Sequence, residues 1–137
     1  MRSAIKYRAG YKYQLLDAYT CSTRIFPGRD ITTPWVGLNT AGMITLRKGY
    51  ASDGPSGPTI DTKSAMRGSF IHDAGYALIR AGLMPQSSRK QWDELYERIC
   101  IEDGMSKIRA WVHFKALRAF GWKASDPESE SQVLTAP

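Results

Sequence analysis

At 137 residues and 15.3 kDa the chain has the size of one domain, and 42% hydrophobic with 23% charged residues is the balance of a folded globular protein. Collagen-like and wholly disordered classes are excluded. No apolar run approaches the roughly 20 residues of a membrane span, and residues 1–15 lack the apolar centre of a secretory signal. The net charge of +6 is unevenly spread. Residues 1–50 hold eight Lys/Arg against Asp17 and Asp30, residues 51–104 hold six basic against eight acidic groups, residues 105–123 carry five basic and no acidic groups, and the remainder adds three acidic ones. Two basic blocks around an acidic centre suit phosphate, on nucleic acid or on lipid headgroups, or an acidic protein partner, and equally suit a solvated surface. Cys21 and Cys100 have no CxxC or Cys/His neighbours, so two reduced, buried thiols are expected and not a zinc site.

In chain order, residues 11–20 (YKYQLLDAYT) and 43–50 (MITLRKGY) are aromatic and β-branched enough for strands, with Pro27, Gly28, Pro34 and residues 39–42 as punctuation. Two to four short strands in one small antiparallel sheet are expected. Two Pro and two Gly within residues 51–61 (ASDGPSGPTID) leave a shaped loop as the connection to the second half. From there the pattern turns helical. Asp61 or Thr62 caps a first helix running to about Arg80 on Ala65, Phe70, Ile71, Ala74, Ala77 and Leu78. After Pro85, Ser87 or Ser88 caps a second helix whose stripe is Trp92, Leu95, Tyr96, Ile99 and Cys100, ending before Gly104. A third, from Met105 or Ser106 to Phe120, is expected to bury Ile108, Ala110, Trp111, Phe114 and Leu117. The fold class is therefore α+β, a small antiparallel sheet packed on a three-helix unit. Residues 1–123 form a single domain under this reading and 124–137 a polar tail.

The chemistry concentrates in residues 70–76, FIHDAGY. His72 and Tyr76 are four apart and share a helix face, while Asp73 points about 100° away. Asp93 on the next helix is a candidate acceptor for the second ring proton of His72, the base-plus-orienter arrangement that activates a nucleophile. The arms are unequal: His72 stands roughly 12–15 Å of helix from the turn and Asp93 about 7 Å, so the connection must absorb the difference. Asp73 beside the histidine needs a partner, solvent or a cation. With Asp53, Asp61 and the carbonyls of the Gly/Pro loop it offers the oxygen-only ligands that calcium prefers. A structural histidine satisfied within the core is the competing reading of His72.

The run from Asp53 to Gly121 resembles the prokaryotic branch of the secreted phospholipase A2 family: a DG loop, HDxGY on a helix, SRxxWDxLY on the next, and an AWxxFxALRxFG-like third helix. The resemblance implies a phospholipase A2-like helical hairpin with His72 as water-activating base, Asp93 as its orienter, Tyr76 as support, and calcium held by Asp73, Asp53 and the Gly54 carbonyl. It also implies an ester of the host envelope as substrate. The family's disulfides are missing here, since Ile71 precedes His72, Pro55 sits in the loop, and Cys100 has no evident partner. The same segment, GYASDGPS with HDAGY and SRxxxD, is similar over more of the chain to a family of small tailed-bacteriophage and prophage proteins, a domain of unknown function. That implies a virion component of tail or head surface, made in the host cytoplasm, with other phage structural proteins as partners and oligomeric assembly in view. A non-catalytic structural or adaptor protein that keeps only the scaffold is the alternative.

Under the enzyme reading Lys63, Arg67 and Arg80 are candidates to meet the phosphate of host membrane phospholipid. Nucleic acid is not expected as a partner: Lys107, Arg109, Lys115, Arg118 and Lys123 spread around the outside of the third helix, with Trp111 and Phe114 assigned to its core stripe. His113 is read as a surface or rim residue.

Overall fold

The computed structural model describes residues 4–8, 13–52 and 62–126. The expected α+β architecture is what the chain adopts, an antiparallel β half packed on a helical half. The strands are shorter and more numerous than the sequence suggests, and they fall into two sheets. β1 (Tyr7–Arg8), β2 (Tyr13–Leu15) and β7 (Ala51–Ser52) form the first, in the order β1-β2-β7. β3 (Tyr19–Ser22), β4 (Ile31–Thr32), β5 (Val36–Leu38) and β6 (Met43–Leu46) form the second, in the order β3-β6-β5-β4.

Each of the two predicted strands is cut by a bend and shared between the sheets. After Leu15 the chain turns at Leu16 and Asp17, both exposed, and re-enters pairing at Tyr19 opposite Leu46. After Leu46 it turns again at Lys48 and Gly49 and returns as β7 beside β2. The two bends are stitched together by Leu15 N–H donating to the Tyr50 carbonyl at 2.9 Å and Gly49 N–H donating to the Leu15 carbonyl at 2.9 Å. Period-two burial follows: Val36 and Leu38 on β5 and Ile44 and Leu46 on β6 point inward, each burial contributing about 1.5–3 kcal/mol.

The helices match their sequence signals closely. α1 spans Thr62–Arg80, α2 Arg89–Glu102 and α3 Lys107–Phe120. Ser106 caps α3, its Oγ accepting from Arg109 N–H at 3.2 Å. A single-turn 3-10 helix, Gln86–Ser88, precedes α2. Phe70, Ile71, Leu78 and Trp92 from the helices join Leu15, Leu38 and Ile44 from the sheets in one core.

Two expectations are corrected. The chain does not leave the fold at residue 124: α4 (Trp122–Ser125) is docked, with Arg80 Nη1 donating to the Ala124 carbonyl at 2.7 Å and Gln86 Nε2 to the Ser125 carbonyl at 3.0 Å. On α3 the buried side is set by Ala110 and His113, with Leu117 half-buried, whereas Ile108 and Trp111 are 79% and 54% exposed. Both faces of this helix are apolar, so periodicity alone could not choose between them.

Candidate functional site

The site is made by the close approach of α1 and α2. Gly75 makes that approach possible: a Cβ there would lie 2.2 Å from Trp92 Cδ2, a distance no packed atoms tolerate. A glycine inside a helix costs about 1 kcal/mol relative to alanine, which burial of the Trp92 indole against the bare backbone more than offsets. Gly68, seven residues earlier on the same face, is tight against Cys100 Sγ and Tyr96. The unequal arms of the hairpin are reconciled by residues 81–88, which include the 3-10 turn and bring Asp93, in the second turn of α2, level with His72 near the middle of α1.

Asp93 is the hub, with 0% of its surface exposed. One carboxylate oxygen accepts from His72 Nε2 at 2.7 Å and from the Tyr76 hydroxyl at 2.5 Å. The other accepts from Arg118 Nη1 at 2.9 Å, with Arg89 Nη1 3.8 Å away. Burial opposes ionisation of this carboxyl. The hydrogen bonds from His72 and Tyr76, and after them that from Arg118, reverse that effect and hold it below the ordinary value of 3.8. Burial first, and then Asp93, push the Tyr76 phenol far upward, so it stays a donor.

The His72 contact defines a tautomer. An ionised carboxylate on Nε2 requires a proton there, so in the neutral ring Nδ1 is the nitrogen that keeps its lone pair. Among the described residues Nδ1 accepts no hydrogen bond. The ring is held by Tyr76 at 4.0 Å between centroids and by the edge of Tyr96 at 5.6 Å. His72 is 6% exposed, so its base character lies at the margin of the core and not free in solvent.

Two arginines complete the centre: Arg89, on the same helix as Asp93, and Arg118, which was expected on the outside of the third helix and instead reaches Asp93. Arg89 donates to the Leu117 carbonyl at 2.9 Å and the Arg118 carbonyl at 3.3 Å, capping the C-terminal turn of α3, and reaches the Tyr76 hydroxyl at 3.3 Å. That dock brings Arg118 onto Asp93. Neither has a local signature, because Arg89 acts on carbonyls at the end of α3 and Arg118 on a carboxylate of α2. His113 also departs from its rim assignment. It is buried, its Nδ1 is 2.9 Å from the Tyr96 hydroxyl, and its Nε2 has no partner among the described residues.

Asp73 is half-buried and takes a short hydrogen bond from the Ser52 hydroxyl on β7. The other proposed calcium ligands, Asp53 and Gly54, and also Asp61, lie outside the described residues. Among the described residues no group of three or more His, Cys, Asp or Glu side chains is placed to hold a metal.

The phosphate set is also redrawn. Arg67 is buried, not available to lipid: Nε and Nη2 grip Asp103 at 3.0 and 3.1 Å, Nη2 reaches Glu102 at 2.7 Å, and Nη1 donates to the Tyr19 hydroxyl at 2.9 Å. Lys63 is exposed and Arg80 is engaged with Ala124, roughly 25 Å of helix apart, too far to share a phosphate.

Cys21 and Cys100 are free thiols, and burial pushes Cys100 up to about 12, so it is protonated and unreactive at neutral pH. Among the described residues no helix is long and apolar enough to cross a membrane. Comparison with family models, curated proteins and solved structures finds no match to this chain.

Proposed function

We propose that the chain is a phage-particle protein carrying a hydrolase site in which His72 is the general base. The observation that carries the reading is the 2.7 Å contact between His72 Nε2 and a carboxylate with no exposure, paired with an Nδ1 that has no hydrogen-bond partner among the described residues. In the proposed reaction Nδ1 takes a proton from water as its oxygen attacks an ester carbonyl carbon. The tetrahedral intermediate then expels the alkoxide, which receives that proton from the imidazolium as the C–O bond breaks. Asp93 remains ionised throughout, fixing the ring and offsetting the charge it acquires. Tyr76 and Arg118 keep Asp93 from rotating.

The resemblances named from the sequence support an ester of the host envelope as substrate and a phage particle as location. Calcium held by Asp73, Asp53 and the Gly54 carbonyl is a proposed addition to the site. The test is release of acid from a short-chain ester and from phospholipid vesicles, with and without calcium, by the full chain and by His72→Asn. Hydrolysis lost in the variant supports the base assignment. Equal rates in both proteins overturn it.

A second reading keeps the network and drops the chemistry. Arg118 favours it, because a carboxylate already paired with a guanidinium and two other donors is a complete structural tie between three helices. No hydrolysis across the substrate panel, together with normal incorporation of His72→Asn into particles, would select this scaffold role.

A further inference from the structure

α3 is held on the hairpin more by polar ties than by apolar burial. Its buried residues are Ala110 and His113, Phe114 and Leu117 are half-buried, and Ile108, Trp111 and Val112 are exposed. α1, by contrast, buries Met66, Phe70, Ile71, Leu78 and Ile79. At its far end α3 is tied by Arg89 to the Leu117 and Arg118 carbonyls and by Arg118 to Asp93. Gly121 then seats the chain directly on the Tyr76 hydroxyl, where a Cβ would lie 2.7 Å from the phenol oxygen. An element with so little buried apolar surface opens more readily than its neighbours, and opening this one takes Arg118 away from Asp93.

His113 stands in the middle of that dock, 9% exposed, its ring stacked on Tyr96 at 6.0 Å between centroids and its Nδ1 2.9 Å from the Tyr96 hydroxyl. Nε2 is buried without a partner among the described residues. From α2 the imidazole faces Tyr96, whose hydroxyl also interacts with Cys100 and with Ser69 of α1, and Asp73 of α1 acts on the same phenol. The charge that acts on the imidazole itself is Arg109, on its own helix. An imidazolium here would carry two N–H groups, one against the phenol and one without an acceptor, next to a like charge. Burial, and then Arg109, accordingly hold His113 below the ordinary value of 6.5, to which a solvated ring on a detached helix would return.

From this arrangement we infer that α3, with α4, is a proton-released arm: a proton taken up by His113 undocks it from α2 while α1 and α2 stay paired, withdrawing Arg118 from Asp93 and uncovering the Tyr76 hydroxyl. The released form binds the proton more tightly than the docked form. The dock is therefore complete above about pH 7 and gives way as the pH falls through the folded value of His113. One proton is linked to the opening, so the opening constant rises at most about tenfold per pH unit. The inference does not depend on the hydrolase reading, since it concerns the dock and not a reaction.

Amide hydrogen exchange of the full chain, followed by NMR from about pH 7.5 to 5 and corrected for the intrinsic pH dependence of exchange, tests it. The opening constant of the α3 amides should rise roughly tenfold or more across that range, while the amides around Phe70 and Ala74 on α1 keep their protection. His113→Asn, its fold checked by circular dichroism, should remove the dependence. Arg109→Glu replaces the repelling charge one turn from the imidazole with an attracting one, and should lower the opening constant at the acidic end several-fold. If His113→Asn does not fold, the Arg109→Glu comparison decides alone. α3 protection that is constant with pH overturns the inference. So does a dependence that survives in His113→Asn or is unmoved in Arg109→Glu, or a loss of protection in which α1 opens together with α3.

Discussion

Two buried charges sit along the α1–α2 hairpin and are satisfied in opposite ways. Arg67, in the second turn of α1, is a cation whose guanidinium meets two carboxylates and a phenol, so negative charge around it exceeds its own. Asp93 is an anion met by an imidazole, a phenol and a guanidinium, with a second guanidinium close by. The Arg67 centre holds no imidazole, and its carboxylates are partly open to water, Glu102 by 44% of its side chain. The Asp93 centre contains the one donor that carries a second, basic nitrogen. What separates a structural tie from a site with chemical capacity here is therefore which donors surround the charge, since burial is common to both.

Removing each hub should expose that difference. Asp93→Ala leaves His72, Tyr76 and Arg118 without their acceptor in a dry place and should cost about 3–5 kcal/mol by denaturant unfolding. Gly75→Ala drives a methyl into Trp92 and should cost about 1–3 kcal/mol or more while separating His72 from Asp93, so that any hydrolysis falls with stability. Arg67→Met should cost less than Asp93→Ala, about 1–2 kcal/mol, because Asp103 and Glu102 can rehydrate, and it should leave hydrolysis unchanged. Equal losses from the Arg67 and Asp93 variants would break the comparison.

The pH dependence sharpens it further. Asp93 has a folded pKa below its unfolded value, so its contribution is complete above about pH 5 and is lost as the pH falls through the depressed value. His113 is also depressed, by burial and then by Arg109, from an ordinary 6.5. The unfolded chain therefore takes up its proton first, and stability is lost as the pH falls from about 7 through the folded value. His113→Asn should flatten that smaller, higher limb of the stability profile and leave the acidic limb attributed to Asp93.

The helices were legible because their ends are marked chemically, by Pro85, Ser106 and the glycines at 82, 104 and 121, and because α1 and α2 each carry one apolar stripe. The pairing of His72 with Asp93 was legible for the same reason: two well-bounded helices fix which turns can meet. Residues 11–20 and 43–50 read as strands but not as strands divided between two sheets, since the bends at residues 16–17 and 48–49 are dictated by what each half pairs with. Arg89 could be placed beside Asp93 on the second helix, but its carbonyl partners on α3 could not be read, and Arg118 was misplaced on the outside because its carboxylate partner is distant in sequence. Gly75 was a signal left unused, for a glycine at the centre of a helix marks a close approach.

Long-range proton–nitrogen correlation spectra of the labelled protein, assigned with His72→Asn, test the central claim most directly, that Asp93 fixes His72 with its proton on Nε2 and its lone pair on Nδ1. The expected pattern for the neutral ring is a protonated Nε2 and an unprotonated Nδ1, lost in Asp93→Ala. A proton on Nδ1, or a pattern unchanged by removing Asp93, would contradict it.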